Sequence, residues 1–213
     1  MKSAVRITVA VMGSLMGAAG VEHGIGEALS GNIAPAGMMI RSWPNSAFFH
    51  SLNGEPAMTI VPNLLLTGVL AILLSASFIT WSIFFARRKN GGLVMMLLAV
   101  PMALFGCGIF PPVQAFLVGV AAQILAIPAR KPATGVEKWI GKAWPWLFVI
   151  CCLAWLALFP GVAVMGYFFG FENVGVLLAL IAAAILLLPL SFWSSWQYDR
   201  LAGEAWGGGL KAD

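Results

Sequence analysis

Residues 13–32 read GSLMGAAGVEHGIGEALSGN. The stretch opens as an apolar segment with glycines at 13, 17, 20 and 24, and it runs without a break into Glu22, His23 and Glu27. At about 100° per residue, the four glycines fall within one narrow arc of a helix. Gly13-xxx-Gly17 and Gly20-xxx-Gly24 are small-xxx-small pairs, the spacing that lets two helix backbones approach closely in lipid. Lys2 and Arg6, the apolar run behind them and Gly17-Ala18-Ala19-Gly20 also resemble a cleavable leader. The glycine face continues past any cleavage point, which favours a retained first span over residues 4–22. Helix is expected to extend to about Ser30, where Gly31-Asn32 supplies a stop.

Working outward, the whole chain has the same character. Of its 213 residues 61% are hydrophobic and only 9% charged, and its mean hydropathy is +0.93. A soluble domain carries roughly 25% charged residues, so a chain this poor in charge could not clothe a water-facing surface. The bilayer is its solvent. The expected fold class is an all-α integral membrane protein, a single polytopic domain over residues 1–213. About six transmembrane spans are read, at 4–22, 58–86, 92–110, 113–127, 144–169 and 174–195.

Punctuation between the spans is clear in places. Arg87-Arg88-Lys89-Asn90-Gly91-Gly92 ends the second, and Pro62 is expected in its first turn. Pro111-Pro112 is read as a break between the third and fourth. That fourth segment gives only about 22 Å of helix at 1.5 Å per residue, less than the hydrocarbon thickness. Residues 92–127 therefore read as a thin pair of spans or a re-entrant hairpin. Residues 31–58 form the longest polar connection, with Pro35, Pro44 and Pro56. Within it, Pro44-Asn45-Ser46 followed by AFFHSL reads as a short capped helix on the membrane surface, anchored by Trp43, Phe48 and Phe49.

Orientation follows from the basic residues. With both termini cytoplasmic, eleven of the twelve lysines and arginines lie on the inner side and only Arg41 lies outside. This is the positive-inside pattern of a multi-pass protein of a cell (inner or plasma) membrane, with an extracytoplasmic loop between the first two helices. The basic residues form short juxtamembrane clusters, so the net charge of +4 points to anionic lipid and excludes a nucleic-acid partner. Cys107, Cys151 and Cys152 all lie in apolar runs, which excludes a disulfide framework or a cysteine metal knuckle.

The same topology sorts the remaining ionisable groups. Glu137, Asp199, Glu204 and Asp213 fall on the inner side among basic residues and read as solvated surface. His23, His50, Glu22, Glu27, Glu55 and Glu172 all fall on the outer side. On the helical wheel His23 and Glu27 stand at i and i+4 beside the glycine arc, while Glu22 points nearly the opposite way. An imidazole next to a carboxylate can ligate a metal, relay a proton or bind a polar ligand. His23, Glu27, His50, Glu55 and Glu172 are therefore the candidate ligand-binding residues. Whether a metal or other cofactor binds is open, since two ligands do not make a site. A helix end emerging into water with an ordinary surface pair is the simpler reading of Glu22, His23 and Glu27.

No HExxH, GxSxG, P-loop, GxGxxG or CxxCH pattern is present. Both aspartates lie in the inner tail and both histidines outside, which leaves no Ser/His/Asp set. Gln114 and Gln123 are nearly opposite on a helix, so one is expected to face the bundle. Trp155, near mid-bilayer, reads as core packing before it reads as a ligand platform. The expectation is a non-enzymatic accessory or structural subunit of a membrane complex, docking through Gly13, Gly17, Gly20 and Gly24 on a partner membrane subunit or a second copy. The alternatives are a small-molecule binding or transport component with an outward-facing pocket, and a membrane enzyme using the outer His/Glu cluster.

Overall fold

The computed structural model describes residues 3–44, 46–49, 54–125, 135–170 and 173–202. These form six helices and one two-stranded sheet: α1 (Ala4–Leu29), β1 (Met39–Ser42), β2 (Glu55–Met58), α2 (Leu64–Phe84), α3 (Gly91–Leu104), α4 (Phe110–Ile124), α5 (Gly135–Phe169) and α6 (Val174–Leu201). Of the described residues 76% are helical. Four helices, α1, α2, α5 and α6, are long and apolar enough to cross a membrane.

α1 is the centre of the bundle. Of its apolar window 56% is buried within the protein, against 17% for α6. Its glycine stripe packs on the protein's own α2. A Cβ at Gly13 would lie 2.5 Å from Ser82 Cβ, one at Gly17 3.0 Å from the Ser75 carbonyl, and one at Gly24 2.8 Å from the Gly68 carbonyl. The contact is reciprocal, because a Cβ at Gly68 would lie 2.8 Å from Ala28 Cβ. The face assigned to a partner subunit is thus filled from within the chain. Gly92 and Gly119 do the same for α3 and α4, where a Cβ at Gly119 would lie 3.0 Å from the Gly92 carbonyl. Met12, Met16, Phe78, Met95, Val118 and Leu188 fill the core between these contacts.

The start of α1 meets the last turn of α6. Asp199, on the last turn of α6, is 2% exposed. Its Oδ1 accepts from Ala4 N–H at 2.6 Å and its Oδ2 from Val5 N–H at 3.0 Å and from the Ser3 hydroxyl. The expectation of a solvated Asp199 is corrected. The first backbone N–H groups of α1 have no partner within the helix, and they sit at its positive end, so a carboxylate is drawn there. Glu137 pairs with Arg200, Nη1 to Oε1 at 3.4 Å. Glu204 and Asp213 lie outside the described residues.

Several boundaries move from the sequence expectation. α1 runs to Leu29 and ends at Gly31, whose φ of +89° only glycine adopts readily. α2 starts at Leu64 behind an Asn63 cap, so Pro62 precedes the helix. Pro111 and Pro112 lie in the first turn of α4, where their missing N–H groups have no helical partner to lose. The turn they were expected to make is made by Phe105-Gly106-Cys107-Gly108 instead, with φ of +85° at Gly106 and +82° at Gly108. α5 begins at Gly135 and contains a π-helical turn at Ala157–Gly161, around Pro160. Gln114 is the inward glutamine at 1% exposed, while Gln123 Oε1 accepts from Leu93 N–H at 3.1 Å.

Between α1 and α2, described residues 46–49 hold turns and no helix. The connection is built on an antiparallel hairpin, with Met39 opposite Met58, Ile40 opposite Ala57, Arg41 opposite Pro56 and Ser42 opposite Glu55. Alternation buries Ile40 and Ser42 on one strand and Glu55 and Ala57 on the other, which is the period of a half-buried strand. The hairpin continues onto the α3–α4 turn: Gly106 N–H donates to the Met58 carbonyl at 2.8 Å and Ile60 N–H to the Leu104 carbonyl at 3.1 Å. α3 and α4, of 14 and 15 residues, are only about 21–23 Å long at 1.5 Å per residue. Their tip meets α1 at Gly20, His23 and Glu27, short of its end at Leu29.

Candidate functional site

The tip of the short helical hairpin, the β-hairpin and the last turns of α1 converge on one buried polar cluster. His23 is 2% exposed. Its Nδ1 lies 3.0 Å from the Ala19 carbonyl. A carbonyl can only accept, so Nδ1 carries the hydrogen and a neutral ring presents Nε2 with its lone pair free. Nδ1 also lies 3.1 Å from Glu22 Oε2, and Nε2 lies 3.3 Å from Glu55 Oε2. Phe159 meets the ring edge-on at a centroid separation of 6.5 Å. Gly108 passes over it so closely that a Cβ there would lie 2.6 Å from Nε2.

Glu27, 1% exposed, belongs to a neighbouring bond. Its Oε1 accepts from the Ser42 hydroxyl at 3.1 Å. Its Oε2 packs against Gly106, where any side chain would collide with the carboxylate. This corrects the expected pairing of His23 with Glu27 and the expected outward Glu22. The wheel fixes where a Cβ leaves the helix, but a glutamate has three further torsions. The ring of His23 folds back on the carbonyl four residues earlier, within reach of Glu22, and Ser42 of β1 claims Glu27.

Glu55 is 6% exposed. Burial pushes its carboxyl up to about 8, against the pull of the neighbouring His23, and the adjacent Glu22 carboxyl raises it further. Ligand atoms of Glu22, His23 and Glu55 all lie within 4.8 Å of one another. Oε1 of Glu22 and Oε2 of Glu27 are buried without a hydrogen-bond partner among the described residues, and Oε2 of Glu22 and Oε2 of Glu55 approach His23 without a well-aligned hydrogen bond. His50 and Glu172, the other two sequence candidates, lie outside the described residues.

Two cavities flank this cluster, of about 290 and 450 Å³. Glu55 and Phe159 line both. The first adds Glu22 to a wall of Ala18, Phe49 and Trp155, and the second adds His23 to a wall of Phe110 and Ile181. Trp155 stacks on Phe159 with centroids 4.7 Å apart and planes 2° from parallel. The π-helical turn places Leu158, Phe159 and Pro160 on the cavities; such turns recur at functional sites.

Ser42, Gly106, Gly108 and Phe159 were not read as site residues from the sequence. The glycines had a signal: two of them flank Cys107 at the middle of an apolar hairpin, where a tight turn or a close approach is needed. Ser42 and Phe159 had none, because their positions depend on strand pairing and on the π-helical turn. The chain matches no family model, no curated protein and no solved structure.

Proposed function

We propose that this is a small-molecule binding component of a cell membrane, with its binding chamber toward the outer face. The supporting observation is that Glu55 and Phe159 each line both cavities, so that one polar cluster terminates two apolar spaces. Small-molecule sites have this composition, an apolar enclosure with a few convergent polar groups. The ligand it suits has an apolar body for Trp155, Phe159 and Phe110 and a polar head for His23, Glu22 and Glu55. The accessory-subunit reading rested on a glycine face that α2 already covers.

In the topology that goes with this reading, both termini are cytoplasmic and α1, α2, α5 and α6 cross fully. α3 and α4 enter from the cytoplasmic side and turn back at the level of His23, bringing the apolar segments to six. The β-hairpin then descends from the outside to meet their tip. The partners are the bilayer and the ligand.

The test uses the full-length protein in lipid nanodiscs with three ten-carbon probes, decylamine, decanoate and decanol. Saturable thermal stabilisation by at least one of them is expected. It should be lost in Ala18→Phe, which fills the first cavity, or in Ile181→Trp, which fills the second. Failure of all three probes, or equal stabilisation of both filled variants, refutes the reading.

A further inference from the structure

We infer that Glu22, His23 and Glu55 hold one divalent transition-metal cation. The inference rests on the chamber reading only for its open coordination position, and it gives the polar end of that chamber a chemical identity. Three observations carry it.

The first is spacing. Metal–nitrogen and metal–oxygen bonds of about 2.0–2.2 Å place neighbouring ligands of a tetrahedral site about 3.3–3.6 Å apart. Glu55 Oε2 already lies 3.3 Å from His23 Nε2, and the set of three spans no more than 4.8 Å. A rotation of the Glu22 carboxylate closes the remainder.

The second is the histidine's other nitrogen. Ligating imidazoles almost always donate their second N–H to a carbonyl or carboxylate, which fixes the tautomer and the ring orientation. The Ala19 carbonyl at 3.0 Å and Glu22 Oε2 at 3.1 Å both stand at Nδ1. Nε2 is left for the metal, with Glu55 Oε2 beside it at 3.3 Å and no side chain reaching it from Gly108.

The third is unmet polarity. Glu55, 6% exposed, has an oxygen that faces His23 without a hydrogen bond, and Glu27 Oε2 is buried against Gly106 without one. Among the described residues, His23 is the only cationic group bearing on Glu27 and Glu55, while Glu22 adds negative charge. Buried carboxylates in excess over one imidazole are neutralised either by protons or by a compensating cation, and a divalent metal can displace those protons. One nitrogen and two carboxylates suit zinc, manganese or ferrous iron; no thiolate or thioether is in the set to select copper(I). Three protein ligands leave a fourth position, as sites that bind an exogenous ligand do, and the cavities beside Glu55 supply the space for a ligand head.

The experiment uses the full chain, purified with a tag free of histidine, stripped with chelator and titrated with zinc and with manganese by calorimetry. Metal content after dialysis is measured by mass spectrometry. One equivalent per chain is expected in the wild type. Affinity should fall by about 10- to 100-fold or more in Glu55→Gln and Glu22→Gln, near-isosteric changes that leave the fold intact, and should persist in Glu27→Gln. Cobalt substitution should give visible bands in the wild type that are absent in His23→Ala. No stoichiometric metal in the wild type, or unchanged affinity in Glu55→Gln, overturns the inference. Alkyl-probe binding by metal-free protein would then leave the chamber reading standing; metal binding without probe binding would do the reverse.

Discussion

Gly24→Ala adds one methyl group, and its effect can be worked from the structure. The new Cβ would lie 2.8 Å from the Gly68 carbonyl oxygen, 2.9 Å from Ala71 Cβ and 2.9 Å from Ile72 Cγ1. Optimal carbon–carbon separation is about 3.5–4.0 Å, so the helices must part by about 0.6 Å or more. Two of the three obstacles, a backbone oxygen and a Cβ, cannot rotate away. Overpacking of this kind costs about 1–3 kcal/mol. Alanine in a helix returns up to about 1 kcal/mol relative to glycine, and since the two rigid obstacles put the overpacking toward the upper end of its range, a net loss of up to about 2 kcal/mol is left. Cys107 provides the assay. It is buried, its Sγ lies 3.6 Å from the Ala71 carbonyl, and Ser75 donates to it at 3.4 Å. With Cys151 and Cys152 changed to alanine, a thiol-reactive dye in a thermal ramp reports the opening of the α1–α2 contact. Gly24→Ala should lower the midpoint, while Ala18→Leu, at an exposed position on the same helix, should leave it nearly unchanged. A midpoint raised by Gly24→Ala would mean that propensity decides and that the close approach does not exist.

Asp199→Ala should destabilise by about 3 kcal/mol or more, because it leaves buried N–H groups of α1 without an acceptor; Asp199→Asn, which keeps one acceptor oxygen, should lose about half as much in the same ramp. Gly106→Ala and Gly108→Ala should each abolish folded yield on size-exclusion chromatography, since both need positive φ and both face a buried site side chain. In chelator-treated protein, the Glu55 carboxyl at about 8 when folded and 4.5 when unfolded makes the folded state the stronger proton binder. Stability should be greatest below pH 4.5 and fall as pH rises toward 8, with a slope of up to about 1.4 kcal/mol per unit; Glu55→Gln should flatten that profile. For topology, single cysteines in a cysteine-free background should label from outside at Ser46 and not at Asn90 or Gly135; labelling at Asn90 would invert the proposed orientation.

The helical membrane architecture was legible because it rests on local signals. Apolar length gave the four long helices, and Gly31 marked the end of the first. The shortness of α3 and α4 could be read from the chain length between Gly91 and Ile124. What could not be read depends on partners far along the chain. Asp199 looks like a solvated tail residue until the N-terminus of α1, 195 residues away, is laid against it. Ser42 and Glu55 share a face only because β1 and β2 pair, and strands of four residues carrying Pro56 give a weak period-two signal. The candidate cluster sits between these cases. His23 stands out in sequence, but its partners were misassigned because adjacent residues on a helical wheel diverge while their side chains can still converge.

The Asp199 contact has a consequence for biosynthesis. α1 leaves the ribosome before α6, yet the acceptor for its leading amide groups is on α6. Until α6 arrives, those amides must be held by water or lipid headgroups at the membrane surface. The Asp199 contact forms only once α6 has been made, and it fixes the start of α1 against the last turn of α6. Chains truncated before Asp199 would carry an uncapped helix at the bilayer surface, a local mark by which a membrane protease could tell unfinished chains from finished ones.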